Sequence, residues 1–233
     1  MIDIIALDAD DTLWDNESHY TRAKEHFKQL LARFGSPEEI GRKLDEIEVG
    51  NIDIYGYGIK SFALSMVETA IQLSQGQIAG EEIQIVIEIA RGMLNAPVDL
   101  YDRVEQTLEE LSFDYRLVLV TKGDRFEQER KIARSGLGQY FETIEIVGDK
   151  TEASYRGMLA TYGLEPKHFL MVGNSIRSDI LPVLSLGGRA VYIPQENTWF
   201  HESAVEGPGD AWGYYVLEHF WQLPELLRKL EGE

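Results

Sequence analysis

The chain is 233 residues long, carries 40 Asp and Glu against 22 Lys and Arg for a formal net charge of -18, and has no cysteine. One core of ordinary size, or one core with an inserted subdomain, fits that length, and 44% hydrophobic with 27% charged residues describes a packed domain rather than a disordered chain. The acid excess without any basic run excludes a nucleic-acid footprint, the lack of cysteine excludes disulfides and thiolate chemistry, and no apolar stretch approaches the roughly 18 residues of a membrane span.

In chain order, Met1 is followed within two residues by Asp3 rather than by a basic region and an apolar run, so the expectation is a cytoplasmic protein with no membrane partner. Residues 4–7 form the first short apolar run, closed by Asp8. Similar runs follow at 117–120, 169–172 and 190–193, with 143–147 a fifth candidate, and continuous apolar runs of this length suit strands buried on both faces of a parallel sheet. Helical patterns alternate with them at 104–111, 125–134, 152–162 and 178–186, the last three closed by glycine. This alternation predicts an α/β fold, a doubly wound, Rossmann-like parallel sheet.

One segment departs from it. Residues 16–95 read as helices at 17–34, 37–47, 59–73 and 81–94 with no convincing strand, and some eighty residues are too many for a crossover. The expected organisation is a core of residues 1–15 and 96–233 with an inserted all-helical cap of 16–95. The stretch 51–60 reads as the least regular part of the insertion. Tyr55 and Tyr57, set among Gly56 and Gly58, are candidates for stacking on a substrate, with Lys60 beside them; the plainer alternative is a helix connection with inward tyrosines. The tail beyond Gln195 holds Trp199, Trp212, Tyr214, Tyr215 and Trp221 and is expected to pack on the body. Within it, His201 and Glu202 invite a metal or acid–base role, although a single His in an aromatic segment is more often structural.

Polar residues stand just beyond the strands, where open α/β sheets bind ligands. Asp8, Asp10 and Asp11 place three carboxylates within four residues, which a cation or a reaction would explain and which helix capping would also explain. Thr121, Lys122 and Gly123 offer a hydroxyl, a charge and backbone amides to an anion. Lys150 supplies a fixed positive charge, and Asn174 and Asp179 supply oxygens suited to a hard cation. Each has a bland reading alone, as a strand terminus, a surface lysine or a helix cap; the ordered set at successive strand ends does not.

That ordered set resembles the haloacid dehalogenase superfamily, dominated by phosphohydrolases with an aspartate nucleophile. Asp8, Asp10 and Thr12 meet its Asp-x-Asp-x-Thr motif, Thr121 its second motif, Lys150 its third, and Asp179 the end of its fourth. Asn174 stands where the family usually has Asp, and Thr151 where it often has Pro. The resemblance implies a magnesium (Mg²⁺) dependent phosphomonoester phosphatase with a helical cap between the first and second motifs. Asp8 would be the nucleophile forming an aspartyl-phosphate and Asp10 the general acid and base. Thr121, Lys122, Gly123 and Lys150 would bind the phosphoryl group, and Asp8, the Asp10 carbonyl and Asn174 or Asp179 would hold the metal. The acid at Asp10 favours a phosphatase over halide-displacing members, whose leaving group needs no proton. Asn174 leaves the assembled site neutral before substrate arrives. A phosphotransferase or mutase of the same family, a phosphorylated receiver and a catalytically silent ligand-binding relative are the alternatives. The insertion is expected to select a small phosphorylated metabolite, in a monomer or homodimer.

Overall fold

The computed structural model describes residues 2–195, 199 and 213–232. His201, Glu202 and Trp212 lie outside the described residues. The chain folds into two compact units, Met1–Glu17 with Val98–Glu233, and Ser18–Pro97.

The first unit is built on a parallel sheet of β1 (Ile4–Leu7), β2 (Arg116–Lys122), β3 (Thr143–Val147), β4 (Phe169–Gly173), β5 (Arg189–Tyr192) and β6 (Tyr215–Val216). Their spatial order is β3-β2-β1-β4-β5-β6. The chain runs outward from β1 to β2 and β3, then returns to β1's other side for β4, so the strand order reverses at β1. A crevice opens at such a switch point beyond the carboxyl ends of the strands, and Asp8 is the first residue past that end.

Alternation along the strands explains why both faces are covered. Ile5 and Leu7 align with Leu117 and Leu119 on one side and with Leu170 and Val172 on the other. These residues pack with Val104, Leu108 and Leu111 of α5 (Val104–Asp114), Ile132 of α6 (Arg125–Ser135), and Leu223 and Leu227 of the C-terminal helix Leu223–Glu231. The intervening residues Ile4, Ala6, Val118, Val120, Phe169 and Met171 pack against Tyr155, Met158 and Leu159 of α7 (Glu152–Tyr162). Every residue of β1 is fully buried, so truncating Ile5 or Leu7 to Ala should cost about 2–5 kcal/mol.

The second unit is helical: α1 (Glu17–Leu30), α2 (Pro37–Tyr55), α3 (Ile59–Leu73) and α4 (Gly80–Asn95). Phe27, Leu31, Ile40, Leu44, Phe62, Met66, Val86 and Ala90 form its core. Helix α2 starts where its sequence demands: Ser36 accepts from the Glu39 amide at 3.2 Å, Glu39 returns a bond to the Ser36 amide at 2.9 Å, and Pro37 occupies the first turn. It runs eight residues beyond the expected 47. A Cβ at Gly50 would meet nothing within 4 Å, and the buried Asn51 amide donates to Ser65 Oγ at 3.0 Å and Glu68 Oε2 at 3.2 Å, so interhelical bonds carry the helix through two weak helix formers. The expected irregular stretch 51–60 is therefore mostly helix, and only Gly56 to Gly58 break it, with φ of 73° and 117° at the two glycines.

Candidate active site

The ends of β1, β2, β3 and β4 bring one residue set together around Asp8. The Asp8 amide donates to the Val172 carbonyl at 2.9 Å, which ties the residue after β1 to β4. Its carboxylate Oδ1 accepts from Lys150 Nζ at 2.5 Å and its Oδ2 from the Thr12 hydroxyl at 2.9 Å. Lys150 Nζ also reaches Asp179 Oδ1 at 2.7 Å, and all three side chains are at least nine-tenths buried. Burial by itself disfavours the Lys150 ammonium, but Asp179 and then Asp8 outweigh it and hold the amine above its ordinary value, so it is a permanent cation. Burial is also the largest influence on Asp179 and pushes its carboxyl up despite Lys150.

Asp179 is placed by a tight local device. Residues Ile176–Ile180 form a π-helical turn in which the Asp179 amide donates to the Ser175 carbonyl at 2.8 Å, while Asp179 Oδ2 accepts from the Ser175 amide at 3.0 Å. A Cβ on Gly173 would lie 2.2 Å from Asp179 Oδ2, so only glycine at the end of β4 admits the carboxylate. The expected helix 178–186 is thereby split, since Pro182, which lacks an N–H, sits in the first turn of the short helix Leu181–Ser185 that follows.

The loop after β2, expected to bind an anion through Thr121, Lys122 and Gly123, places its three residues differently. The Thr121 hydroxyl is buried and accepts from Gln128 Nε2 at 2.5 Å, which leaves its own proton to donate. Lys122 Nζ donates to Ser178 Oγ at 2.9 Å and so links the loop after β2 to that after β4. The Gly123 amide, expected to face the anion, donates instead to the Val147 carbonyl at 3.2 Å, and its φ of 133° requires glycine. Tyr55 is the exposed last residue of α2 and Tyr57 is half-buried between the two turn glycines, both within the helical unit.

Asp10 faces a second cation, one that the sequence pattern did not single out. Lys131 Nζ lies 2.8 Å from Asp10 Oδ1 and 2.6 Å from Oδ2, Trp14 Nε1 donates to Oδ1 at 2.6 Å, and Gln128 Nε2 to Oδ2 at 3.0 Å. Burial works to raise this carboxyl, but the charge and hydrogen bond of Lys131, with Trp14 and Gln128, hold it below its usual value. The available signal was helical spacing: Gln128 and Lys131 are three residues apart in α6, hence on one face, and α6 begins directly after the Thr121 loop with Asp124 as its cap. Asp11 answers to neither lysine. Its Oδ1 accepts from the amides of Asn16 and Glu17 at 2.9 Å each, so for this member of the cluster the helix-capping alternative holds.

The oxygens around Asp8 fit a hard cation. Thr12 Oγ1 lies 2.9 Å from Asp8 Oδ2 and 3.5 Å from Asn174 Oδ1, so a carboxylate and an amide oxygen converge on one hydroxyl. Among the described residues no three His, Cys, Asp or Glu side chains gather as a metal cluster.

The family model of haloacid dehalogenase-like hydrolases matches residues 2–187. N-acylneuraminate-9-phosphatase of Homo sapiens is 24% identical over 97% of this chain and 94% of its own length. Glyceraldehyde 3-phosphate phosphatase of Methanothermobacter thermautotrophicus is 24% identical over 97% and 100%. Among solved structures, a haloacid dehalogenase-like family hydrolase from Xanthomonas campestris is 35% identical with a TM-score of 0.87, covering 99% of this chain and 92% of that one. Among the described residues no helix is long and apolar enough to cross a membrane.

Proposed function

The chain belongs to the haloacid dehalogenase-like hydrolases, and we propose that it is a phosphatase of that family, hydrolysing a small phosphorylated metabolite through an aspartyl-phosphate on Asp8. The observation that carries the reading is the Lys150 bridge between Asp8 and Asp179 with Asp10 two residues on, because it orients one carboxylate as nucleophile and leaves the other for proton transfer. The two phosphatases named above support the substrate class.

An oxygen of Asp8 attacks phosphorus as the bond from phosphorus to the ester oxygen breaks. The departing oxygen takes its electron pair and a proton from the Asp10 carboxyl. Asp10, now a carboxylate, removes a proton from the water that attacks the aspartyl-phosphate and regenerates Asp8. Thr121 and Lys150 donate to the phosphoryl oxygens, where charge must be stabilised in a loose transition state. Asp8, the Asp10 carbonyl and an oxygen of Asn174 or Asp179 are the residues that would hold magnesium, which when bound would neutralise phosphoryl charge. Asp179 accepts from Lys150 and from the Ser175 amide, one bond to each oxygen, so it holds Lys150 in place and keeps a lone pair on each oxygen for a cation. The core (1–15 and 96–233) carries these residues, and the helical insertion (16–95), with Tyr55 and Tyr57, is the part left to select the substrate.

The test is a panel of small phosphomonoesters, including N-acylneuraminate 9-phosphate and glyceraldehyde 3-phosphate, assayed with magnesium and with chelator on wild type and Asp8→Asn. Phosphate release should require magnesium and fall at least about 10³-fold in Asp8→Asn. Turnover that survives in Asp8→Asn would rule out the covalent route.

A further inference from the structure

We propose that Lys131 is a positioning residue for the second half of the reaction, fixing the Asp10 carboxylate that deprotonates the attacking water. The inference rests on the reading of Asp10 as that base. Four hydrogen bonds enter the two oxygens of Asp10: two from Lys131, one from Trp14 and one from Gln128. These contacts place a donor on each oxygen and so fix the orientation of the carboxyl.

Among the described residues Lys131 alone touches both oxygens, and therefore sets the rotation of the carboxyl plane, which decides the lone pair that faces a water. Trp14 and Gln128 each reach one oxygen. Gln128 also reaches Thr121 Oγ1 at 2.5 Å, so the face of α6 that carries Lys131 is indexed to the hydroxyl assigned to the phosphoryl group. Lys131 is itself held, with Nζ 3.2 Å from Asn16 Oδ1 and 3.9 Å from Glu127, and the ion pair is mostly shielded, the side chains of Lys131 and Asp10 being 16% and 22% exposed. A shielded, two-point contact of this kind holds an orientation that a solvated surface pair does not. Misplacement of a reacting group by about 1 Å can cost about 10²-fold in rate.

The consequence is specific to one step. With p-nitrophenyl phosphate, whose phenolate departs without a proton, loss of Lys131 should slow hydrolysis of the aspartyl-phosphate more than its formation. The expected result for Lys131→Met is a pre-steady-state burst of p-nitrophenolate, acid-stable label on the protein at steady state, and kcat and KM lowered together by about 10–100-fold. Lys131→Arg, which keeps the charge, should accumulate less label than Lys131→Met; if the methionine variant does not fold, Lys131→Gln is read in its place. Asp10→Asn is run in parallel. A burst with Asp10→Asn but none with any Lys131 variant overturns this inference and leaves the assignment of Asp10 standing. No burst with Asp10→Asn overturns the assignment itself. A fall in burst and steady-state rate by one common factor marks a purely structural Lys131 and overturns the inference as well.

Discussion

Asp8 and Asp10 are two residues apart, each faces a lysine, and the two ion pairs differ in kind. Lys150 lies between two carboxylates in a site that is almost dry, with side chains 1–8% exposed. Lys131 grips both oxygens of a single carboxylate at a partly wetted edge, with 16% and 22% exposure. The first is a bridge that holds Asp8, the proposed nucleophile, against the loop after β4. The second is a clamp on Asp10, the group proposed to give up and take back a proton. The degree of desolvation thus separates the two ion pairs of the motif.

The largest expected effect tests the bridge. Lys150→Met leaves Asp8 and Asp179 facing one another with no cation, and breaking a buried pair in that way costs about 3–5 kcal/mol. Lys131→Met should cost about 1 kcal/mol, near the upper end for partly exposed pairs. Denaturant unfolding of the magnesium-free proteins makes the comparison. Equal losses at the two sites would remove the distinction between bridge and clamp. Adding Asp179→Asn to Lys150→Met should recover part of the loss, because it deletes one of the two stranded charges.

A smaller effect comes from the backbone beneath the bridge. In Gly173→Ala the new Cβ would lie 2.2 Å from Asp179 Oδ2 and 2.7 Å from Asp179 Cβ, so the side chain must shift from its root. The expected loss is about 1–3 kcal/mol, as for other overpacked sites, with turnover down about tenfold or more as Lys150 follows Asp179. Gly148→Ala is the control, since nothing lies within 4 Å of the position, and its stability should stay within about 0.5 kcal/mol of wild type by differential scanning calorimetry. Comparable losses in the two variants would mean that Asp179 is not what Gly173 accommodates.

The same contrast explains what could be read from the sequence. Strands buried on both faces announce themselves as continuous apolar runs, and the runs at 4–7 and 143–147 coincide with β1 and β3. Asp8, Thr121, Lys150 and Asp179 stood out because each follows such a run. Lys131 and Gln128 lie mid-helix, where a lysine three residues after a glutamine looks like any solvated face, and only the fold turns that face toward Asp10. The two-residue β6 and the C-terminal helix went unassigned beyond a tail expected to pack; β6 is too short to carry a period, and it is defined by pairing with β5. The length of α2 was hidden because Gly50 and Asn51 have poor helix propensity, and the bonds that override it come from α3 and are invisible locally.

The smallest expected effect concerns Asp11, the third carboxylate of the cluster, which is held by backbone amides. Burial is the main influence on it; the amides of Glu17 and Asn16 pull down, Asp10 and Asp8 push up, and the carboxyl is raised to about 7. Because the folded value lies above the unfolded one, near 4, its contribution to stability is complete below about pH 4 and is lost as pH rises through about 7. Wild type should therefore be less stable at pH 8 than at pH 5.5 on account of this group. Asp11→Asn keeps the oxygen that accepts from Asn16 and Glu17 and cannot ionise, so it should flatten that part of the profile. Roughly 1 kcal/mol, or about 3 °C in Tm for a chain of this size, is the expected difference between the two profiles. Thermal unfolding of magnesium-free wild type and variant across pH 5.5 to 8 measures it. Parallel profiles would show that Asp11 is ionised throughout and that the amides alone offset its burial.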